Sequence, residues 1–82
     1  MIHKHTGEPE LDISIVLPVY NEAGNLPRFI PELSGVLRDI GRSYEIIAVD
    51  DGSKDESVDV LRGLKEDEPN LRIIRFRRNF GQ

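Results

Sequence analysis

The sequence predicts an α/β domain built as βαβαβ with three parallel strands, and three observations carry that expectation. Two short β-branched runs, Ile13 to Leu17 and Glu45 to Val49, are each followed by a polar turn and then by apolar residues at helical spacing. A third apolar run, Leu71 to Phe76, follows the second helical stretch. Strands that alternate with helices need crossovers, and right-handed crossovers make the strands parallel with their carboxyl ends on one edge.

Residues 1 to 11, MIHKHTGEPEL, are polar and contain Gly7 and Pro9, so they are expected as a flexible tail without an element, leaving 12 to 82 as the folded unit. His3 and His5 have no third ligand nearby and read as solvated tail residues rather than a metal pair. From Asp12, the residues Ile13, Ile15, Val16 and Leu17 form a buried strand closed by Pro18. Asn25 then precedes Leu26, Phe29, Ile30, Leu33, Leu37 and Ile40, whose spacing predicts one buried helix face ended by Gly41. Pro27 suits a first turn, whereas Pro31 removes a helical hydrogen bond and predicts an irregular or kinked start. After the strand at Ile46 to Val49, Ser53 and Glu56 read as a capping box that opens the second helix, with Asp55 and Glu56 as solvated charges at its positive end. Val58, Leu61 and Leu64 continue its buried stripe until Pro69 and Asn70 turn the chain into the third strand.

The 82 residues allow one small domain, and a chain of this size buries only about 60% of the surface its unfolded form exposes. A net charge of -4 excludes the concentrated basic face of a general nucleic-acid binder. With no cysteine there is neither a disulfide framework nor a thiolate metal site, which fits a reducing compartment. No apolar run approaches the roughly 20 residues that span a bilayer, and the opening segment lacks the apolar centre of a signal peptide. The expected location is the cytoplasm or the cytoplasmic face of a membrane, with any membrane association supplied by segments beyond Gln82.

Ligands of parallel α/β sheets bind outside the carboxyl ends of the strands, which here carry Pro18 to Glu22 and Asp50 to Ser53. Adjacent strand residues point to opposite faces, so Asp50 and Asp51 are not expected to work as an acid/base dyad; one faces the cleft and the other supports the turn. An ionised carboxylate only accepts hydrogen bonds, so it suits a base with a ring N–H, which uracil and guanine present. Tyr20 offers a face for stacking, Glu22 an acceptor for ribose hydroxyls, and Gly52 a backbone able to turn tightly beside a ligand. Ser53 is explained as a cap and is assigned support.

Three runs resemble the amino-terminal part of a family 2 glycosyltransferase: Ser14 to Glu22 (SIVLPVYNE), Tyr44 to Ser57 (YEIIAVDDGSKDES) and Arg77 to Gln82 (RRNFGQ). The last is most similar to the dolichyl-phosphate mannosyltransferase branch, which moves a sugar onto a polyprenyl phosphate. The resemblance implies the amino-terminal half of a GT-A, Rossmann-like domain, with a UDP- or GDP-sugar donor, a divalent cation (Mg2+ or Mn2+) and inversion at the anomeric carbon. It assigns nucleoside contacts to Pro18, Tyr20 and Glu22, base reading to Asp51 with Asp50 as its less certain neighbour, and a place near the donor to Arg78, Asn79 and Gly81. The sequence ends before any Asp-x-Asp metal motif or acceptor-side residues, so no residue present is assigned to catalysis or to the metal. Arg72, Arg75, Arg77 and Arg78 read equally as phosphate holders or as solvated ends of the third strand.

A dinucleotide-binding oxidoreductase is disfavoured because its glycine-rich first turn is replaced by Pro-Val-Tyr-Asn-Glu-Ala-Gly-Asn, and a receiver domain because the third strand ends in arginines. The stronger alternative is a noncatalytic nucleoside-binding or interaction fragment lacking the metal and acceptor sites. In the family the strand carrying Pro18 is paired on both sides, so an unpaired edge and poor solubility are also expected for this chain.

Overall fold

A computed structural model of the chain describes residues 2–4 and 12–76. Along them run β1 (Ile2–Lys4), β2 (Ile13–Val19), α1 (Leu26–Ile40), β3 (Tyr44–Asp51), α2 (Ser57–Lys65) and β4 (Leu71–Phe76). They form one sheet of order β1-β2-β3-β4 in which β2, β3 and β4 are parallel. The expected βαβαβ unit is therefore present.

Alternation along the strands sorts the sheet into two faces. Ile15, Val19, Ile46, Ala48 and Leu71 lie on one face and join Leu26, Ile30 and Leu37 of α1 and Leu61 of α2 in a single buried cluster. The opposite face carries Pro18, Ile74 and Phe76, which are exposed. Both helices thus cover the same side, as two right-handed crossovers advancing in one direction require.

Pro18 lies inside β2 rather than closing it. The N–H of Ile13 donates to Ser43 O at 3.1 Å, so odd-numbered residues of β2 direct their N–H groups toward β3. Pro18 is even-numbered, and its missing donor falls on the outer side of the strand, where the β3 ladder loses nothing.

The expectation of no element in residues 1 to 11 fails at β1, which pairs antiparallel with β2 through Ile2↔Ile15, His3↔Ser14 and Lys4↔Ile13. An edge strand presents unpaired N–H and C=O groups, and backbone alone suffices to satisfy them, so no apolar pattern announced the pairing. The edge of β2 is accordingly not open along Ile13 to Ile15, contrary to the expectation of a wholly unpaired side. His5 lies outside the described residues.

Helix α1 is continuous through Pro31 and ends at Gly41, whose N–H donates to Arg38 O at 3.1 Å and whose φ of 81° turns the chain out of the helix. Its buried stripe runs through Leu26, Ile30, Ser34 and Leu37. At about 100° per residue that stripe is centred near Ile30 and Leu37 and reaches round to Ser34, which leaves Phe29 and Ile40 beyond its other margin, exposed at 41% and 54% rather than buried as expected.

Candidate functional site

The turns after β2 and β3 are laced together by side-chain hydrogen bonds. The N–H of Asn21 donates to Ser53 Oγ at 2.8 Å, that of Glu22 to Ser57 Oγ at 2.8 Å, and that of Ala23 to Asp55 Oδ2 at 3.2 Å. In return Asn21 Oδ1 accepts from the N–H of Lys54 at 2.8 Å and of Asp55 at 3.4 Å. Asn21 holds φ 53°, a left-handed conformation that asparagine tolerates better than most residues.

This lacing replaces the expected capping box. Helix α2 begins at Ser57 with Glu56 at the cap position and no side-chain cap bond. Ser53 is instead spent on Asn21, and its own N–H donates to Asp50 Oδ2 at 3.1 Å. Asp55 is exposed, as expected, and is also a bridge: Oδ1 accepts from the Ser57 N–H at 2.9 Å and the Ser57 hydroxyl at 2.5 Å. These bonds, led by the Ser57 hydroxyl, hold the Asp55 carboxyl below its ordinary pKa.

Asp50 and Asp51 diverge across the strand as alternation requires. Asp50 is fully buried on the helix-covered side; its Oδ2 supports the turn through Ser53, while its Oδ1 is buried without a hydrogen-bond partner. Asp51 is exposed on the opposite face, opposite Phe76 of β4. Tyr20, one residue beyond Val19 and the end of β2, is exposed as well. Gly52 turns the chain at φ 78°. Glu22 is half-buried; its Oε1 accepts from Asn25 Nδ2 at 2.9 Å, and its carbonyl accepts from the N–H groups of Asn25 and Leu26 that open α1. The carboxyl edge therefore gathers Tyr20, Glu22, Asp50 and Asp51. Arg77, Arg78, Asn79 and Gly81 lie outside the described residues.

A groove of about 440 Å³ opens beside this edge, with Leu17, Pro18, Val19, Leu26 and Phe29 as its apolar wall and Glu22, Arg28 and Glu32 among its polar lining. It contains two of the expected residues, Pro18 and Glu22, and none of Tyr20, Asp50 or Asp51. Its lining comes from β2, α1 and the turn between them.

Among the described residues no three His, Asp or Glu side chains gather to hold a metal. Asp50 and Asp51 fall on opposite faces, so they do not fit a shared divalent cation. No described helix is long and apolar enough to cross a membrane. Of the four arginines, Arg72 is engaged at the amino end of the sheet, where its Nη1 lies 3.4 Å from Glu45 Oε1. Asn21, Asp55 and Ser57 are the site residues that sequence reasoning missed. The available signal was the density of short polar side chains in both turns, which ordinary turn chemistry also produces.

Residues 14–82 match the sequence profile of the family described as Glycosyl transferase family 2. Among similar curated proteins, the undecaprenyl-phosphate 4-deoxy-4-formamido-L-arabinose transferase of Pseudomonas fluorescens is 42% identical over 72 residues, covering 85% of this chain and 21% of that protein. The protein of the same name from Yersinia pestis is 41% identical over 76 residues, covering 92% of this chain and 23% of its own. That from Enterobacter sp. is 43% identical over 72 residues, covering 85% and 22%. The chain thus spans about a fifth of the length of these relatives.

Proposed function

The chain belongs to glycosyl transferase family 2, and from that membership we propose that it forms the nucleoside-binding part of an enzyme that transfers a sugar from a UDP- or GDP-sugar to a polyprenyl phosphate. The observation that carries the reading is that exposed Tyr20 and Asp51 stand with Glu22 at the carboxyl ends of two adjacent parallel strands. Asp51 accepts from the ring N–H of uracil or guanine, Tyr20 stacks on the base, and Glu22 accepts from a ribose hydroxyl with the carboxylate that Asn25 orients. Pro18 borders the nucleoside, and Arg78, Asn79 and Gly81 belong to a donor-side segment. Asp50 acts on the turn rather than on the base.

The acceptor named for the relatives supports a lipid phosphate as nucleophile. Its oxygen bonds to the anomeric carbon as the bond to the nucleoside diphosphate breaks, and this single displacement inverts the centre. An acceptor that is already anionic needs positioning more than a strong general base. The divalent cation of this chemistry takes its ligands from outside this chain, which acts at the cytoplasmic face of a membrane. The domain is taken as residues 12 to 82, joined at its edge by β1.

Titration of UDP and GDP into wild type, Asp51→Asn and Asp50→Asn tests the assignment. Loss of a charge-assisted hydrogen bond at Asp51 costs about 1.5 to 3 kcal/mol, roughly tenfold or more in Kd. Equal losses in both variants, or tighter binding of ADP by wild type, would overturn it.

A further inference from the structure

We infer that Ser57 and Asp55 are positioning residues for nucleoside binding, acting through the backbone of Glu22 and Ala23; this rests on the nucleoside reading above. Three successive N–H groups, of Asn21, Glu22 and Ala23, are taken by side chains of the other turn, between 32 and 35 residues away. Local turns satisfy their own amides, whereas here the conformation of the first turn is dictated by the second. Ser57 is the pivot. It is fully buried, accepts from the Glu22 N–H, and gives its hydroxyl hydrogen to Asp55 Oδ1. Asp55 thereby sets the hydroxyl so that its lone pair meets Glu22, and its other oxygen takes the next amide, Ala23.

Glu22 lies within this clamp and Tyr20 directly precedes it, so the backbone that presents them is held before any ligand arrives. Binding then loses less conformational freedom than it does in an unclamped turn. Ser57 and Asp55 need not touch the nucleoside; they set the cost of presenting the residues that do.

Amide hydrogen exchange on the chain, combined with UDP and GDP titrations of wild type, Ser57→Ala, Ser57→Thr and Asp55→Asn, tests the inference. Expected in Ser57→Ala are faster exchange at Glu22 and Ala23, unchanged exchange at Ile46 and Ala48, and nucleotide affinity about tenfold weaker. Threonine, which keeps the hydroxyl, should restore both, and Asp55→Asn should reproduce the loss without removing the serine. Looser amides with unchanged affinity would overturn the positioning role and leave the nucleoside site standing. Exchange that rises equally through Ile46 and Ala48 in both variants would show general structural support and overturn it as well. Wild type that binds neither nucleotide would remove the site reading and this inference together.

Discussion

Asn21 and Ser53 are joined across 32 positions by a backbone-to-hydroxyl bond of 2.8 Å, while Asn21 returns its own side-chain oxygen to the N–H of Lys54. The bond ties the ends of two parallel strands at the point where ligands approach such sheets. The left-handed backbone at Asn21 adds a second demand, since most L-residues lose about 1 to 2 kcal/mol there. Asn21→Ala therefore removes an acceptor and adds strain, whereas Asn21→Gly removes only the acceptor. Urea unfolding should rank wild type above Asn21→Gly and Asn21→Gly above Asn21→Ala, with about 1 kcal/mol between the variants. An alanine variant as stable as the glycine one would contradict the strain argument.

Asp50 presents the reverse case, a buried group carrying one used and one unused oxygen. Asp50→Asn keeps an acceptor for the Ser53 N–H and removes the buried charge, so stability should hold or rise. Asp50→Ala leaves that N–H without its partner and should lose about 1 to 3 kcal/mol. Chemical denaturation of both variants distinguishes these outcomes, and a strongly destabilised asparagine variant would show that both carboxylate oxygens matter.

Acid should release the clamp between the turns. Asp55 has its pKa lowered in the folded chain, chiefly by the Ser57 hydroxyl. Its contribution is thus complete above the ordinary aspartate value and is lost as pH falls through the lower, folded one. The Ala23 amide shift, followed by NMR, should titrate below the ordinary aspartate range, and that transition should be missing in Asp55→Asn. A midpoint at or above the ordinary value would mean the bonds to Asp55 are not maintained in solution.

The pairing of β1 with β2 predicts that removal of residues 1–4 uncovers the strand edge along Ile13 to Ile15. Exposed parallel edges pair with other chains. Sedimentation should show the shortened chain associating at concentrations where the 82-residue chain does not. Identical behaviour of the two would mean that β1 does not protect the edge.

The chain alone should bind nucleoside without transferring sugar, because Asp50 and Asp51 diverge across the strand and do not share a cation that could stabilise the leaving diphosphate. Binding without stabilising the transition state leaves the chemical barrier in place. The check is incubation with UDP- and GDP-sugars, magnesium or manganese, and a polyprenyl phosphate, followed by glycolipid detection. Metal-dependent turnover by this chain would refute the argument.

The sequence by itself determined the strands at Ile13, Ile46 and Leu71, both helices, the stop at Gly41 and the divergence of Asp50 and Asp51. These follow from periodicity, local propensity and the two-residue repeat of a strand, all of which act over a few residues. Only the tertiary structure decided that Ser53 serves Asn21 rather than Glu56, that Asp55 and Ser57 hold the first turn, and that Ile2–Lys4 lies against β2. It also decided how far the α1 stripe rotates, through burial of Ser34 beside Ile30 and Leu37. A short polar side chain has several acceptors within reach, and backbone pairing leaves no side-chain pattern. Which partner prevails depends on what the fold brings within about 3 Å, and that distance does not exist until the sheet has formed.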